Sequence, residues 1–201
     1  AAEWNGRFLG VGVGGFGGVI NEGELKTAVQ RGYAAAATDT GHGVVGTEVW
    51  ARNQPEKIVD YGHRAIHLRS VAGKALATRF DGSAPHHAYF AGCSNGGRQA
   101  LMEAARYPGD YDGIIAGAPA ADFTGLVVAS FGWNDQALRR APLSTQKLSA
   151  LQRGVLEQCD ALAGSRDDLV GAPEACHFNP STLRCHGLVD DKCFNDAAVA
   201  T

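Results

Sequence analysis

The sequence predicts an α/β fold: a parallel β-sheet with helices on both faces, followed by a smaller helical, cysteine-rich stretch. Three observations carry that prediction. Strand-like and helix-like segments alternate from Arg7 to Ala116, as a parallel sheet requires, because each parallel pairing needs a crossover connection. One strand-like segment runs through a G-x-S-x-G motif directly into a helix-forming segment. Beyond Ala120 the alternation stops, and two helical segments precede loops that hold four of the five cysteines.

The elements follow in order. Residues 7–13 read as a strand that opens into a glycine loop, 10–18. Residues 24–30 form a short helix, and Gly32 stands where a left-handed C-cap is wanted. Tyr33-Ala34-Ala35-Ala36-Ala37-Thr38 would pass for helix on alanine propensity alone. Its place between two helical segments makes it a buried parallel strand, a reading that the resemblance below supports. The longest periodic segment comes next: Ile58, Tyr61, Ala65, Leu68, Ala72, Leu76 and Phe80 recur at helical spacing, with Pro55 near the start. A strand ending at Ala91, a helix to about Arg106 and a strand over 113–116 complete the alternation. Helices are then expected over 122–138 and 144–158, with no strand after them and no internal repeat.

The candidate chemistry sits at Gly92-Cys93-Ser94-Asn95-Gly96. A nucleophilic serine on a sharp strand-to-helix turn needs small neighbours, and Gly92 and Gly96 supply them. The helix that starts beneath Ser94 offers unpaired backbone N–H groups where an oxyanion would develop. A second motif points to another function class. Gly12, Gly14 and Gly17 make a G-x-G-x-x-G after a strand, and Asp39 ends the next strand, which is the outline of a dinucleotide-binding oxidoreductase. In that fingerprint the third glycine opens a helix, whereas here an irregular loop continues to Gly23. The serine turn would also go unused. An esterase is therefore the favoured reading, with the glycine loop facing Ser94.

Composition narrows the partners. The chain has 201 residues and a formal charge of −3, and its longest basic run is Arg139-Arg140, so nucleic acid is not an expected partner. No apolar run approaches the ~20 residues of a membrane span. Residues 1–4 read as folded-type sequence rather than a leader. Four cysteines crowd into 159–193 among Gly, Asp and Pro, which argues disulfides and export, secreted or periplasmic. Near-neighbour pairing predicts Cys159–Cys176 and Cys185–Cys193. A zinc site using Cys176-His177 and Cys185-His186 is the alternative, disfavoured because close C-x2–4-C spacings are missing.

Several segments resemble one family. Gly92-Cys93-Ser94-Asn95-Gly96-Gly97-Arg98-Gln99, Ala104-Ala105-Arg106-Tyr107-Pro108 and Tyr111-Asp112-Gly113-Ile114-Ile115-Ala116-Gly117-Ala118-Pro119 resemble the tannase and feruloyl esterase family, whose relatives include terephthalate monoester hydrolases. Trp4-Asn5-Gly6-Arg7-Phe8, Thr38-Asp39-Thr40-Gly41-His42 and Pro55-Glu56-Lys57-Ile58-Val59-Asp60-Tyr61 extend the match, as does the segment beyond Cys159. The resemblance implies an incomplete α/β-hydrolase core over 1–119 and the N-terminal part of a lid domain over 120–201. It implies Ser94 as nucleophile, the N–H groups of Asn95 and Gly14 as oxyanion donors, no organic cofactor, and a small-molecule ester of an aromatic acid (galloyl, feruloyl or a related benzoate) as substrate.

It also implies that Cys93 bonds a cysteine directly after the catalytic histidine. No His-Cys pair follows Ser94, and His177 and His186 follow cysteines in the reverse order, so both are read as surface or structural. The expected base and aspartate therefore lie outside this chain, which reads as a portion of a longer esterase, inactive and aggregation-prone alone. Finally, residues 160–169 resemble a calcium-binding turn. Carboxylates at Asp160 and Asp167 and carbonyls at Ser165 and Leu169 would be ligands, while Ala163 replaces a third carboxylate. Weak calcium binding is favoured over a merely solvated acidic turn.

Overall fold

The computed structural model describes residues 4–43, 48–188 and 190–200. The chain forms two compact units that divide between Phe123 and Thr124.

In the first unit the described residues form a four-stranded, all-parallel sheet. Its strands are β1 (Arg7–Val11), β2 (Ala34–Ala36), β3 (His87–Cys93) and β4 (Gly113–Gly117), in the order β2-β1-β3-β4. Register puts Phe8 beside Ala34 and Ala88, and Phe90 beside Gly10 and Ile114. These residues share one face, where Phe8, Ala88, Phe90, Ala100 and Tyr111 form the main core cluster. The residues between them face the other way and are less covered: Leu9, Tyr89 and Ala91 are half-buried and Ile115 is exposed. The three alanines of β2 form the expected parallel strand against their own propensity, but at the sheet's edge they are half-buried rather than buried. Pairing and burial in a parallel sheet outweigh a preference of under about 1 kcal/mol per residue.

The helices are α1 (Glu22–Gln30), α2 (Pro55–Val59), α3 (Ala65–Asp81) and α4 (Asn95–Arg106). Asn21 caps α1 by accepting the Glu24 N–H at 3.3 Å, and Gly32, just past its end, has φ +80° as expected. Asn21 and Glu24 border the second face of the sheet along with Leu9, Cys93 and Ile115. Helices α3 and α4 cover the first.

The long periodic segment is helical, but its apolar stripe does not lie in the core. Ile58, Leu68, Leu76 and Phe80 are exposed, whereas Ile66, Arg69, Ser70 and Ala77 are buried. A π-helical turn, Asp60–Arg64, joins α2 to α3 and holds Tyr61, the buried member of the stripe. The face of α3 toward the sheet includes Gly73, where a Cβ would come within 2.8 Å of the Phe8 ring.

The second unit is built differently. A π-helical segment, Leu126–Gly132, leads into α5 (Trp133–Arg140), followed by α6 (Thr145–Cys159) and the short α7 (Asp196–Val199). Ser144 caps α6 by accepting the Lys147 N–H. Among the described residues Ala141, Phe194 and Ala198 form its buried cluster, supported by Leu143, Leu151, Leu183 and Val199. Both expected disulfides form, Cys159–Cys176 and Cys185–Cys193. They consume the four thiolates that a zinc site would need.

Candidate active site

The C-terminal end of β3 turns sharply into α4 at Ser94, whose backbone has φ +59° and ψ −119°. A non-glycine residue rarely holds a positive φ, so the surrounding structure must enforce it. The Ser94 N–H bonds the Gly117 carbonyl, and the Ser94 carbonyl accepts the N–H groups of Arg98 and Ala120, at 3.0, 3.0 and 3.1 Å. The side chain itself is exposed to solvent.

Glycine is required here because backbones touch. A Cβ on Gly92 would overlap the Gly96 carbonyl, and one on Gly97 would overlap the Gly117 carbonyl. A Cβ on Gly12 would sit 2.8 Å from the Gly96 Cα and 2.9 Å from the Gly92 Cα. The glycine loop after β1 is therefore in backbone contact with the serine turn. This gives the G-x-G-x-x-G a reason unrelated to a pyrophosphate: Gly12 is small because of the elbow, and Gly17, at φ +75°, because of Thr40. The third glycine opens no helix, since α1 starts only at Glu22.

Buried polar side chains hold this contact. Val13 donates its N–H to Gln99 Oε1 at 3.1 Å, and the Val13 carbonyl accepts Asn95 Nδ2 at 3.1 Å. Asn95 Oδ1 in turn accepts Arg98 Nε at 2.7 Å and the Tyr61 hydroxyl at 3.1 Å. The other Arg98 nitrogens donate to the carbonyls of Tyr61 and Gly62, both at 2.9 Å, within the π-turn. Arg98 also lies over the Tyr61 ring. Burial pushes the Tyr61 hydroxyl up to about 12, against the opposing pull of Arg98, so it stays a protonated donor. The same burial lowers the Arg98 pKa from its ordinary value.

The far side of the loop rests on His42. Its Nε2 is 2.8 Å from the Phe16 carbonyl, which makes that nitrogen the protonated one, and its ring stacks on Trp50 at 3.8 Å. Phe16, Tyr61 and Phe123 form a further aromatic group, with centroids 5.6–5.7 Å apart.

A second buried network lies against the core face of the sheet. Arg69 donates to the carbonyls of Val11 and Ala36 and to the Tyr111 hydroxyl, and its Nη2 is 3.9 Å from Glu103 Oε1. Glu103 is fully buried and neither oxygen has a hydrogen bond among the described residues. Desolvation raises its pKa to about 7, with Asp110 adding to the rise and Arg69 opposing it. The mismatch between a lowered Arg69 and a raised Glu103 is what burial imposes on a loosely paired couple.

The geometry thus brings together Ser94, Asn95 and the glycine loop. Neither the Gly14 N–H nor the Asn95 N–H has an acceptor among the described residues, and Gly14 is exposed. No histidine or carboxylate is hydrogen-bonded to the Ser94 hydroxyl among them. His177 and His186 are exposed in the second unit, and Cys93 is a free, exposed thiol. In the acidic turn, Asp160 is 7% exposed and its Oδ1 accepts the Asp167 N–H, while Ser165 donates to the Asp167 carboxylate. Among the described residues no group of three or more His, Cys, Asp or Glu side chains could hold a metal. The roles of Tyr61, His42, Arg98 and Gln99 were not assigned from sequence, although each lies in a quoted motif. The signal was there as identity without geometry.

Comparison with known proteins follows from this site. A family model described as tannase and feruloyl esterase matches residues 1–201. An uncharacterized esterase of Xanthomonas campestris is 40% identical over 205 residues, covering 100% of this chain and 35% of that protein. A probable feruloyl esterase B-1 of Aspergillus fumigatus is 35% identical over 196 residues, covering 95% of this chain and 37% of its own length. The crystal structure of feruloyl esterase B from Aspergillus oryzae superposes with a TM-score of 0.87 at 30% identity, over 99% of this chain and 41% of that one. The chain therefore spans well under half the length of these relatives. They give no support to the oxidoreductase alternative.

Proposed function

The chain belongs to the tannase and feruloyl esterase family, and from that premise we propose that it carries the nucleophile and oxyanion donors of a serine carboxylester hydrolase acting on aromatic acid esters. Ser94 Oγ attacks the ester carbonyl, and the negative charge that develops on the carbonyl oxygen is met by the N–H groups of Gly14 and Asn95. The ester C–O bond then breaks, the alcohol leaves with the serine proton relayed by a histidine, and water cleaves the acyl-enzyme. We assign the histidine and its aspartate to polypeptide outside residues 1–201. Cys93 would bond a cysteine next to that histidine. The acyl group is galloyl, feruloyl or a related benzoate, as the names of the relatives suggest. Export to an oxidising compartment, secreted or periplasmic, accords with the two disulfides, and among the described residues no helix is long and apolar enough to cross a membrane.

The observation that carries this reading is the enforced positive φ of Ser94, together with the N–H groups of Gly14 and Asn95, which have no acceptor among the described residues. Ser94→Ala in the complete polypeptide is expected to abolish hydrolysis of an aromatic ester such as methyl ferulate. Near-normal turnover would overturn the assignment.

The acidic turn is proposed as a weak calcium site. Asp160 and Asp167 would supply carboxylates, and Ser165 and Leu169 carbonyls. Those four donors fall short of the six to eight that calcium takes, so the fit is to a low-affinity site completed by water. The ion's contribution would be structural, tying the turn to the end of α6.

A further inference from the structure

We propose that Asn95 and Gln99 are positioning residues that aim the Gly14 N–H, gripping Val13 through both of its backbone polar groups. The proposal rests on the reading of Ser94 as nucleophile and Gly14 as oxyanion donor. Residues four apart on a helix project from one face, and here Asn95 and Gln99, 1% and 0% exposed, both reach Val13.

The peptide bond explains why Val13 is the place to grip. The Val13 carbonyl and the Gly14 N–H belong to one rigid, planar, trans unit, in which C=O and N–H point in opposite directions. Fixing the carbonyl therefore fixes the N–H. Asn95 Nδ2 holds that carbonyl at 3.1 Å, so the Gly14 donor is turned away from the Asn95 side chain. A carbonyl that accepts a hydrogen bond also polarises the N–H across the same peptide and makes it the stronger donor.

The amide orientation of Asn95 is not free. Its oxygen already accepts Arg98 Nε and the Tyr61 hydroxyl, so its NH2 must face Val13. Gln99 acts through its oxygen alone, because its Nε2 has no partner among the described residues. On the other flank the Gly14 carbonyl accepts the Gly17 N–H at 3.2 Å, and the Tyr61 hydroxyl lies 3.3 Å from the Gly15 carbonyl, one peptide further on. The peptides on both sides of Gly14 are thus held, while nothing in the described residues engages the Gly14 N–H. One residue, Asn95, gives its backbone N–H to the oxyanion and uses its side chain to aim the other donor.

The test compares Ser94→Ala, Asn95→Asp and Gln99→Met in the complete polypeptide. It reads kcat and KM on an aromatic ester, the rate of Ser94 labelling by a fluorophosphonate, and Tm. Asp retains the acceptor for Arg98 and Tyr61 but cannot donate to Val13. Asn95→Asp is expected to lower kcat and the labelling rate together by about 10²-fold, the scale of one lost oxyanion donor, with KM changed less than threefold. Gln99→Met, which keeps the volume but removes the acceptor, is expected to lower both by about tenfold, and it reports on the clamp even if Asn95→Asp fails to fold. Folded variants with kcat and labelling within threefold of wild type overturn the clamp. Labelling that survives Ser94→Ala overturns the nucleophile reading itself and the clamp with it.

Discussion

The two units of this chain hold themselves together in different ways. In the first, a parallel sheet buries Phe8 and Phe90 under two helices, and the polar groups around the elbow are tied by side chains that are themselves buried. In the second, one phenylalanine and two alanines make the buried cluster among the described residues, and two disulfides close loops of sequence separation 17 and 8. The contrast teaches where geometry is costly. A nucleophile turn that keeps a serine at φ +59° needs a stiff support, because such a conformation costs of order 1–3 kcal/mol and persists only when its surroundings over-determine it. In the loop-rich unit, covalent links replace the apolar area that its sequence cannot bury.

Phe90→Ala should break the first mode. A fully buried phenylalanine, which also lies under the Arg69 guanidinium, is expected to cost about 3–5 kcal/mol. Chemical denaturation would show it as a shift in midpoint, and a change below about 1 kcal/mol would mean the sheet core is not what supports the elbow.

Replacing Cys159 and Cys176 by serine tests the second mode. Chain entropy credits that loop with about 3 kcal/mol and the Cys185–Cys193 loop with about 2.5 kcal/mol. Hydrogen exchange should speed up in residues 141–199 while β1 and β3 keep their protection. Equal loss in both units would erase the distinction drawn between them.

The buried Glu103 sharpens the comparison through pH. Its folded pKa of about 7 lies above the ordinary value of 4.5, so the folded state holds the proton more tightly than the unfolded chain does. Stability from this group is complete below about pH 4.5 and is lost as pH rises to about 7, by at most about 1.4 kcal/mol per pH unit. Glu103→Gln should flatten that fall in a series of thermal melts. An unchanged slope would assign it to other groups.

Calcium should have the smallest effect. With a Kd of about 1 mM, 2 mM calcium adds about 0.6 kcal/mol. The resulting rise in Tm should vanish in Asp167→Asn. No rise at millimolar calcium would leave residues 160–169 a solvated turn.

Much of this molecule was determined by its sequence alone. Alternating segments specify a parallel sheet, because only crossovers join parallel strands. The G-x-S-x-G between a strand and a helix marks Ser94, because only glycines let those backbones touch. Cysteines crowded into a loop-rich stretch, paired with near neighbours, specify both disulfides. What sequence could not supply was phase and partnership. The apolar stripe from Leu68 to Phe80, clear in the sequence, is not the buried face of its helix, which instead buries Ile66, Arg69, Ser70 and Ala77. Likewise Gln99 meets Val13 across 86 residues, and Asn95 meets it across 82. A side-chain bond to a distant backbone has no period and no spacing, so nothing in the one-dimensional pattern announces it. Only the packing of the loop after β1 against α4 brings those groups within reach, and with them the direction in which the Gly14 N–H points.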